Sequence, residues 1–256
     1  MKIVVASDAH FPHGDDKVIL LFERFLKDYK PDVLVFNGDL LDCETISKFD
    51  SVPGGSLKEE LFMCKEFLSD IRRILPNTEI HYILGNHEMR LRSYLIRNIK
   101  DPTTFNVIKE RLSLADLLDL DKLKIDFHDL PENISRFDDN YIYKEGFYIG
   151  HWNRVSKNSA YTVKLLVEDK GVSVIQGHTH RLGLYFKKTL NKTLIGAESG
   201  CLCKTEPDYC VNPNWQSGFC IIENGTPHLI YINNYKFSYG EKIYSLDSEE
   251  HPFIIP

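Results

Sequence analysis

Three short apolar runs rich in β-branched residues, each closing on a polar or glycine-containing loop, limit this chain most strongly. Residues 2–7 (KIVVAS) lead into Asp8 and His10, residues 32–37 (DVLVFN) into Gly38, Asp39 and Asp42, and residues 79–84 (EIHYIL) into Gly85, Asn86, His87 and Glu88. Runs of this length and composition read as buried strands. Between them the apolar residues follow a helical period. Val18, Ile19, Leu21, Phe22, Phe25 and Leu26 predict a helix over 18–29, with Asp15 and Asp16 as capping candidates and Pro31 as its stop. A loop at Pro53-Gly54-Gly55-Ser56 precedes a second helix over 57–75, which Pro76 and Asn77 end. Strands alternating with helices indicate an α/β sandwich, and the C-terminal ends of the strands are where such folds build their sites.

A helical region is expected over 90–120. The later half is richer in strands, at 141–149, 172–176, 182–188, 194–197, 219–222 and 229–232, with one helix near 160–168 and Asn191 in a hairpin turn. No linker, internal repeat or low-complexity stretch divides the chain, so the expectation is one domain over 1–256 holding two sheets. The 256 residues are 43% hydrophobic and 27% charged, which excludes a disordered, collagen-like or coiled-coil chain. A formal charge of −6 provides no overall positive field to draw the chain to nucleic acid or an anionic membrane. The apolar run after Lys2 is too short for a signal peptide, and charged residues interrupt every stretch that could span a bilayer. A cytoplasmic protein is expected, with no membrane partner, reduced cysteines and unused sequons at Asn133, Asn191 and Asn224. Cys201, Cys203, Cys210 and Cys220 cluster late but lack the paired CxxC spacing of a structural zinc site.

Ten histidines make the composition unusual, because imidazole is the commonest metal ligand near neutral pH. Five of them sit in motifs that each follow an expected strand: Asp8-x-His10, Gly38-Asp39-x-x-Asp42, Gly85-Asn86-His87-Glu88, Gly150-His151 and Gly177-His178-Thr179-His180. Imidazole combined with carboxylate and amide oxygen suits Mn²⁺, Fe²⁺ or Zn²⁺, whereas Mg²⁺ and Ca²⁺ favour oxygen alone. Alternate residues at a strand end point the same way, so Asp8 with His10, and His178 with His180, can meet one metal cluster. His13, His81, His128, His228 and His251 lie outside the motifs and read as surface or packing residues.

In this order the motifs resemble the calcineurin-like metallophosphoesterase superfamily, over roughly residues 8–180. The resemblance implies two mixed β-sheets packed as a sandwich flanked by helices, in four α/β/β/α layers. It implies one metal held by Asp8, His10 and His180, a second by Asn86, His151 and His178, and Asp39 bridging them. His87 would be the catalytic imidazole, with Asp42 as the carboxylate that orients it. The implied reaction is hydrolysis of a phosphate mono- or diester by a hydroxide held between two cations about 3.5 to 4 Å apart. Mn²⁺ is the first expectation for both, with Fe²⁺, Zn²⁺ and Ni²⁺ as alternatives.

Phosphoprotein phosphatases of this superfamily continue the Asp39–Asp42 motif into Arg-Gly, whereas Cys43 and Glu44 stand here. That leaves Arg90 and Arg92 as candidates for gripping the phosphate, since guanidinium matches its geometry; Arg92 equally fits a solvated helix face. Segments 200–203 and 214–219 resemble phosphoesterases of phages and prophages. Trp152 and Trp215 are candidate stacking surfaces for a base, although aromatics in a strand-rich region read first as core. Lys187, Lys188 and Lys192 read as protection of a sheet edge. A nuclease or cyclic-nucleotide phosphodiesterase would use the same core, and a non-catalytic scaffold would be expected to have lost part of it. The substrate, small molecule or nucleic acid, and the oligomeric state are left open.

Overall fold

A computed structural model of the chain describes residues 1–48, 55–130, 140–207 and 212–246. The expectations at Pro53, Gly54, Asn133, Cys210 and His251 lie outside the described residues. Four parallel strands, β1 (Lys2–Ala6), β2 (Val33–Asn37), β3 (Glu79–Ile83) and β4 (Ile125–His128), form one side of a six-stranded sheet. Its other strands, β10 (Gly218–Glu223) and β11 (Thr226–Tyr231), join antiparallel to β1, giving the order β11-β10-β1-β2-β3-β4. A late segment thus pairs with the first strand of the chain. The second sheet holds β5 (Tyr141–Lys144), β6 (Phe147–Gly150), β7 (Ser173–Gln176), β8 (Leu182–Lys188) and β9 (Thr193–Ser199) in the order β5-β6-β7-β9-β8. Both sheets are mixed.

Side-chain alternation explains the layers. Ile3, Val5, Val33, Val35 and Ile83 point from the first sheet onto Ile149, Ile175 and Ala197 of the second, and together they form the inner core. Their neighbours Val4, Ala6, Leu34, Phe36 and Tyr82 point the other way. They pack under Leu21, Phe22 and Phe25 of α1 (Asp16–Tyr29) and Phe67, Leu68 and Ile71 of α2 (Leu57–Ile74). On the far side of the second sheet, α6 (Tyr161–Lys170) sets Val163, Leu166 and Val167 on Val174, Leu194 and the fully buried Trp152. The result is the expected four α/β/β/α layers, with Trp152 in the core.

Local chemistry sets the ends of the elements. Asp15 caps α1 by accepting from the backbone of Lys17 and Val18, and Ser56 with Glu59 forms a capping box at α2. The expected helical region over 90–120 breaks into α3 (Met89–Asn98), α4 (Pro102–Arg111) and α5 (Leu114–Leu117). Asp101 with Pro102 starts one of these and Ser113 starts the next. The run 141–149 is two strands rather than one, because Glu145 and Gly146, at φ 48° and 88°, make a tight hairpin turn. Strand β4 and the hairpin of β12 (Lys236–Tyr239) with β13 (Lys242–Ser245) lie outside the expected set. Lys187 and Lys188 lie on the edge strand β8. Among the described residues no helix is long and apolar enough to cross a membrane.

Candidate metal centre

The five motifs converge where β1, β2, β3, β6 and β7 end. Five of the residues there hold left-handed backbone conformations: Asp8 (φ 57°), His10 (51°), Asp39 (52°), His178 (70°) and His180 (56°). Such conformations are costly for residues with side chains and cluster where a site demands them. The glycines make the close approach possible. A Cβ on Gly38 (φ 82°) would run into the His151 imidazole, and one on Gly85 would overlap the Asp39 carboxylate.

Two sets of donor atoms result, Asp8 with His10 and His180, and Asp39 with His151 and His178, each within 4.8 Å of one another, and a further group of His10, Asp39 and His87 overlaps both. Asp8 Oδ1 lies 3.2 Å from His180 Nε2 and 3.7 Å from His10 Nε2. The two imidazole nitrogens are 3.0 Å apart. In the other set, Asp39 Oδ2 and Asn86 Oδ1 each lie 3.1 Å from His151 Nε2. Asp39 also reaches the first set, with Oδ2 3.9 Å from His10 Nε2.

Hydrogen bonds behind these atoms fix the direction of their lone pairs. His151 Nδ1 donates to the Asn37 carbonyl at 2.7 Å; a carbonyl only accepts, so Nδ1 carries a proton and Nε2 is the atom aimed at the oxygens. His10 is set the same way by Asp42 Oδ2, 3.1 Å from its Nδ1. Asp39 Oδ1 accepts from the His87 backbone at 2.9 Å, while the buried Oδ2 faces His151 Nε2 at 3.1 Å. Asp8 accepts from the His178 backbone.

The electrostatics agree. Burial alone would raise the carboxyls of Asp8 and Asp39, yet His180 facing Asp8 and His151 facing Asp39 hold both far below the usual carboxylate range. Burial likewise pulls His151 and His180 down, but Asp39 and Asp8 outweigh it and push both up to about 9. For His178 burial wins, helped by His151, and its value falls to about 4. His151 and His180 thus hold protons against Asp39 and Asp8, and once cations displace those protons the imidazole nitrogens and ionised carboxylates are a donor set that fits divalent ions.

A family model for calcineurin-like phosphoesterases matches residues 1–182. The chain belongs to the calcineurin-like phosphoesterase family. Two proteins resemble this family member over nearly all of its length, in agreement with the phage-like segments read from the sequence. The Gene 54 protein of Mycobacterium phage L5 is 29% identical over 263 residues, covering 96% of this chain and 99% of its own. That of Mycobacterium phage D29 is 28% identical, covering 93% and 96%. Among solved structures, Vps29 from Entamoeba histolytica complexed with Zn²⁺ aligns at 16% identity and TM-score 0.44, covering 95% of this chain and 96% of its own. YfcE, a phosphoesterase from E. coli, aligns at 12% and 0.43, covering 96% and 100%.

In this calcineurin-like phosphoesterase His87 stands beside the first set, its ring 4.4 Å from that of His10. Its Nδ1 donates to the backbone carbonyl of Asp42 at 3.0 Å, and Asp42 Oδ1 is more distant at 3.4 Å. Arg90 donates to the Asp42 carbonyl and to Oδ1, both at 2.8 Å, and its other terminal nitrogen lies 3.1 Å from His87 Nε2. Arg92 is not brought to this cluster. It lines a separate cavity of about 230 Å³ with Leu95, Phe105 and Asp129.

Glu88 is the residue that sequence reasoning passed over. Wholly buried, it accepts from the backbone of Asp39, Leu41 and Gly85 and from the Tyr82 hydroxyl, at 2.7 to 3.1 Å. It ties the Gly38–Asp42 loop to the Gly85–Glu88 loop. Its place directly after His87, as the lone acid before a basic stretch, was the available signal. Trp215 packs edge-on to His180, ring centroids 4.1 Å apart, and borders a cleft of about 510 Å³. His81 and His128 pack together, their nitrogens 2.9 Å apart, with Asp126 beside them. The thiols of Cys43, Cys64, Cys201, Cys203 and Cys220 are all buried and free.

Proposed function

We propose that this family member hydrolyses phosphate mono- or diesters at a centre of two divalent ions. Asp8, His10 and His180 would hold one ion, Asn86, His151 and His178 the other, and Asp39 both. The observation that carries this reading is Asp39 Oδ2, a buried carboxylate oxygen set between the two groups of imidazoles, 3.1 Å from His151 Nε2 and 3.9 Å from His10 Nε2. A buried charge so placed is costly unless cations meet it. Two bound ions would supply a water acidified to near-neutral pH as nucleophile and would neutralise charge on the phosphoryl oxygens. Mn²⁺ is the first choice for the mixed nitrogen and oxygen donors, with Fe²⁺, Zn²⁺ and Ni²⁺ as competitors.

The chain's own residues supply the rest. His87 donates from Nδ1 to the Asp42 carbonyl and accepts from Arg90 at Nε2, so Nε2 can carry a proton to the departing oxygen only when that Arg90 N–H turns away toward the substrate. Arg90 braces that geometry from Asp42 and can turn remaining N–H groups toward a phosphoryl oxygen. Arg92, which lines the cavity beside Asp129, is the weaker candidate for the grip. The whole of 1–256 acts as one domain in the cytoplasm, a reading supported by β10 pairing with β1 and by the free thiols.

The test is metal content and turnover on one preparation. The protein should take up two equivalents of Mn²⁺ and cleave bis(p-nitrophenyl) phosphate or p-nitrophenyl phosphate. A panel of single-stranded DNA, RNA, cyclic nucleotides, nucleoside monophosphates and phosphopeptides then separates nuclease, cyclic-nucleotide phosphodiesterase and monoesterase. Full metal loading with no cleavage of any of these would leave a scaffold.

A further inference from the structure

His10 and His151 each anchor their outer nitrogen on an oxygen, but His180 does not. Its Nε2 faces Asp8 and His10, while its Nδ1 meets sulfur, 3.9 Å from Cys203 Sγ. Cys201 lies two residues earlier along an extended stretch that bridges to Ser217 and Gly14, with Leu202 turned into the core between the two cysteines. Period-two alternation therefore puts both thiols on one side. The two sulfurs and a ring nitrogen of His180 lie within 4.8 Å of one another, and all three residues are buried. The Gln216 carbonyl oxygen, 3.6 Å from Cys201 Sγ, is the nearest further donor.

The 3.9 Å between Cys203 Sγ and His180 Nδ1 is close to what a tetrahedral cation imposes. Metal–sulfur and metal–nitrogen bonds of about 2.3 and 2.0 Å set nitrogen about 3.5 Å from sulfur, and two sulfurs about 3.8 Å apart. We propose that Cys201, Cys203 and Nδ1 of His180 form a second cation site, selective for thiophilic ions such as Zn²⁺ or Cd²⁺, back to back with the metal centre. As the metal–sulfur bonds form, each thiol gives its proton to solvent, and His180 ligates as the neutral tautomer protonated on Nε2. Two sulfurs and a nitrogen favour soft ions, whereas the nitrogen and oxygen atoms of the centre favour harder ones. The sites compete for His180, because a neutral imidazole has one lone pair to give. Filling the thiol site therefore takes a ligand from Asp8 and His10, and by reciprocity a filled centre weakens the thiol site. This antagonism, unlike the thiol site itself, rests on the two-ion reading above.

Cd²⁺ titration of the full chain loaded with Mn²⁺ tests both statements. One equivalent of Cd²⁺ should raise the ultraviolet thiolate-to-cadmium charge-transfer band while free Mn²⁺ appears by EPR. Cys201→Ser and Cys203→Ser should each remove the band. The double variant should retain Mn²⁺ and need at least tenfold more Cd²⁺ to lose it. Absence of the band, or its survival in the double variant, overturns the site. Equal Mn²⁺ release from both proteins overturns the antagonism alone. A wild-type chain that forms the band but never binds Mn²⁺ overturns the two-ion reading and leaves the thiol site standing. Cadmium-113 NMR on the unaltered protein covers the case of a variant that misfolds. A shift typical of two sulfur ligands supports the site, and a shift typical of nitrogen and oxygen alone refutes it.

Discussion

Oδ2 of Asp42 lies 3.1 Å from Nδ1 of His10, so the carboxylate of Asp42 stands behind a metal ligand. The resemblance to the family places it behind His87 as well, where His87 Nδ1 donates to the Asp42 main-chain carbonyl at 3.0 Å and lies 3.4 Å from Oδ1. One residue thus sets two imidazoles, one with its side chain and one with its backbone. Asp42→Asn should weaken Mn²⁺ binding by roughly 10- to 100-fold, the usual cost of losing such an outer partner, and leave the His87 hydrogen bond intact. Calorimetric titration with Mn²⁺ checks this. Unchanged affinity with collapsed turnover at saturating metal would mean that the carboxylate acts on His87 after all.

Glu88 gathers three backbone donors and a phenol around one buried carboxylate. Burial, with Asp39 beside it, raises its carboxyl, so the four donors offset a real cost. Glu88→Ala strands all of them in a dry interior. The expected loss is about 3 kcal/mol or more of stability in urea unfolding, together with weaker metal binding, because the loop that carries Asp39 is released. A variant as stable as the parent would show that water replaces the carboxylate.

The strands that bear ligands were readable because each is an unbroken apolar run ending in motif residues, so β1, β2 and β3 fall where the sequence puts them. Strand β4 was not, since Ile125-Asp126-Phe127-His128 is half polar and sits behind a helical region. The hairpin of β12 and β13 has the same difficulty, with only Phe237 of its eight residues buried. Within the site, which residues converge followed from order and spacing. Which atom faces which did not: Arg90 and Arg92 look alike in sequence, and only the helix places one against His87 and the other beside Asp129. The nearness of Cys203 to His180 joins positions 23 residues apart and leaves no spacing signature.

Glu23 on α1 supplies a pH test away from the site. Burial first, and then Asp70 on α2, push its carboxyl up to about 7, with Arg73 opposing. The folded chain therefore keeps this proton in a range where the unfolded chain has lost it, and stability falls as pH rises from about 4.5 toward 7. Glu23→Gln should remove that slope. Relative to the parent, the variant should melt higher at pH 8, by on the order of 1 kcal/mol after allowing for solvent near the group, and show no such gain at pH 4. A gain of equal size at both pH values would point to packing rather than ionisation.

His87→Ala should leave both metal equivalents in place, because the proposed ligands do not include it although it lies beside His10 and Asp39, and should lower turnover by roughly 10² to 10⁴. The size of the loss should depend on the leaving group. A p-nitrophenolate departs without needing a proton, whereas an alkyl oxygen leaving phosphorus builds up charge that an acid must quench. With Nδ1 bound to the Asp42 carbonyl, Nε2 is the atom that can do this once the Arg90 N–H now donating to it at 3.1 Å turns to the phosphoryl group. Comparing the variant on p-nitrophenyl and alkyl esters of the same phosphate separates two roles. A loss concentrated in the alkyl ester identifies His87 as the proton donor. An equal loss on both means that the imidazole instead stabilises charge on the phosphoryl group during attack.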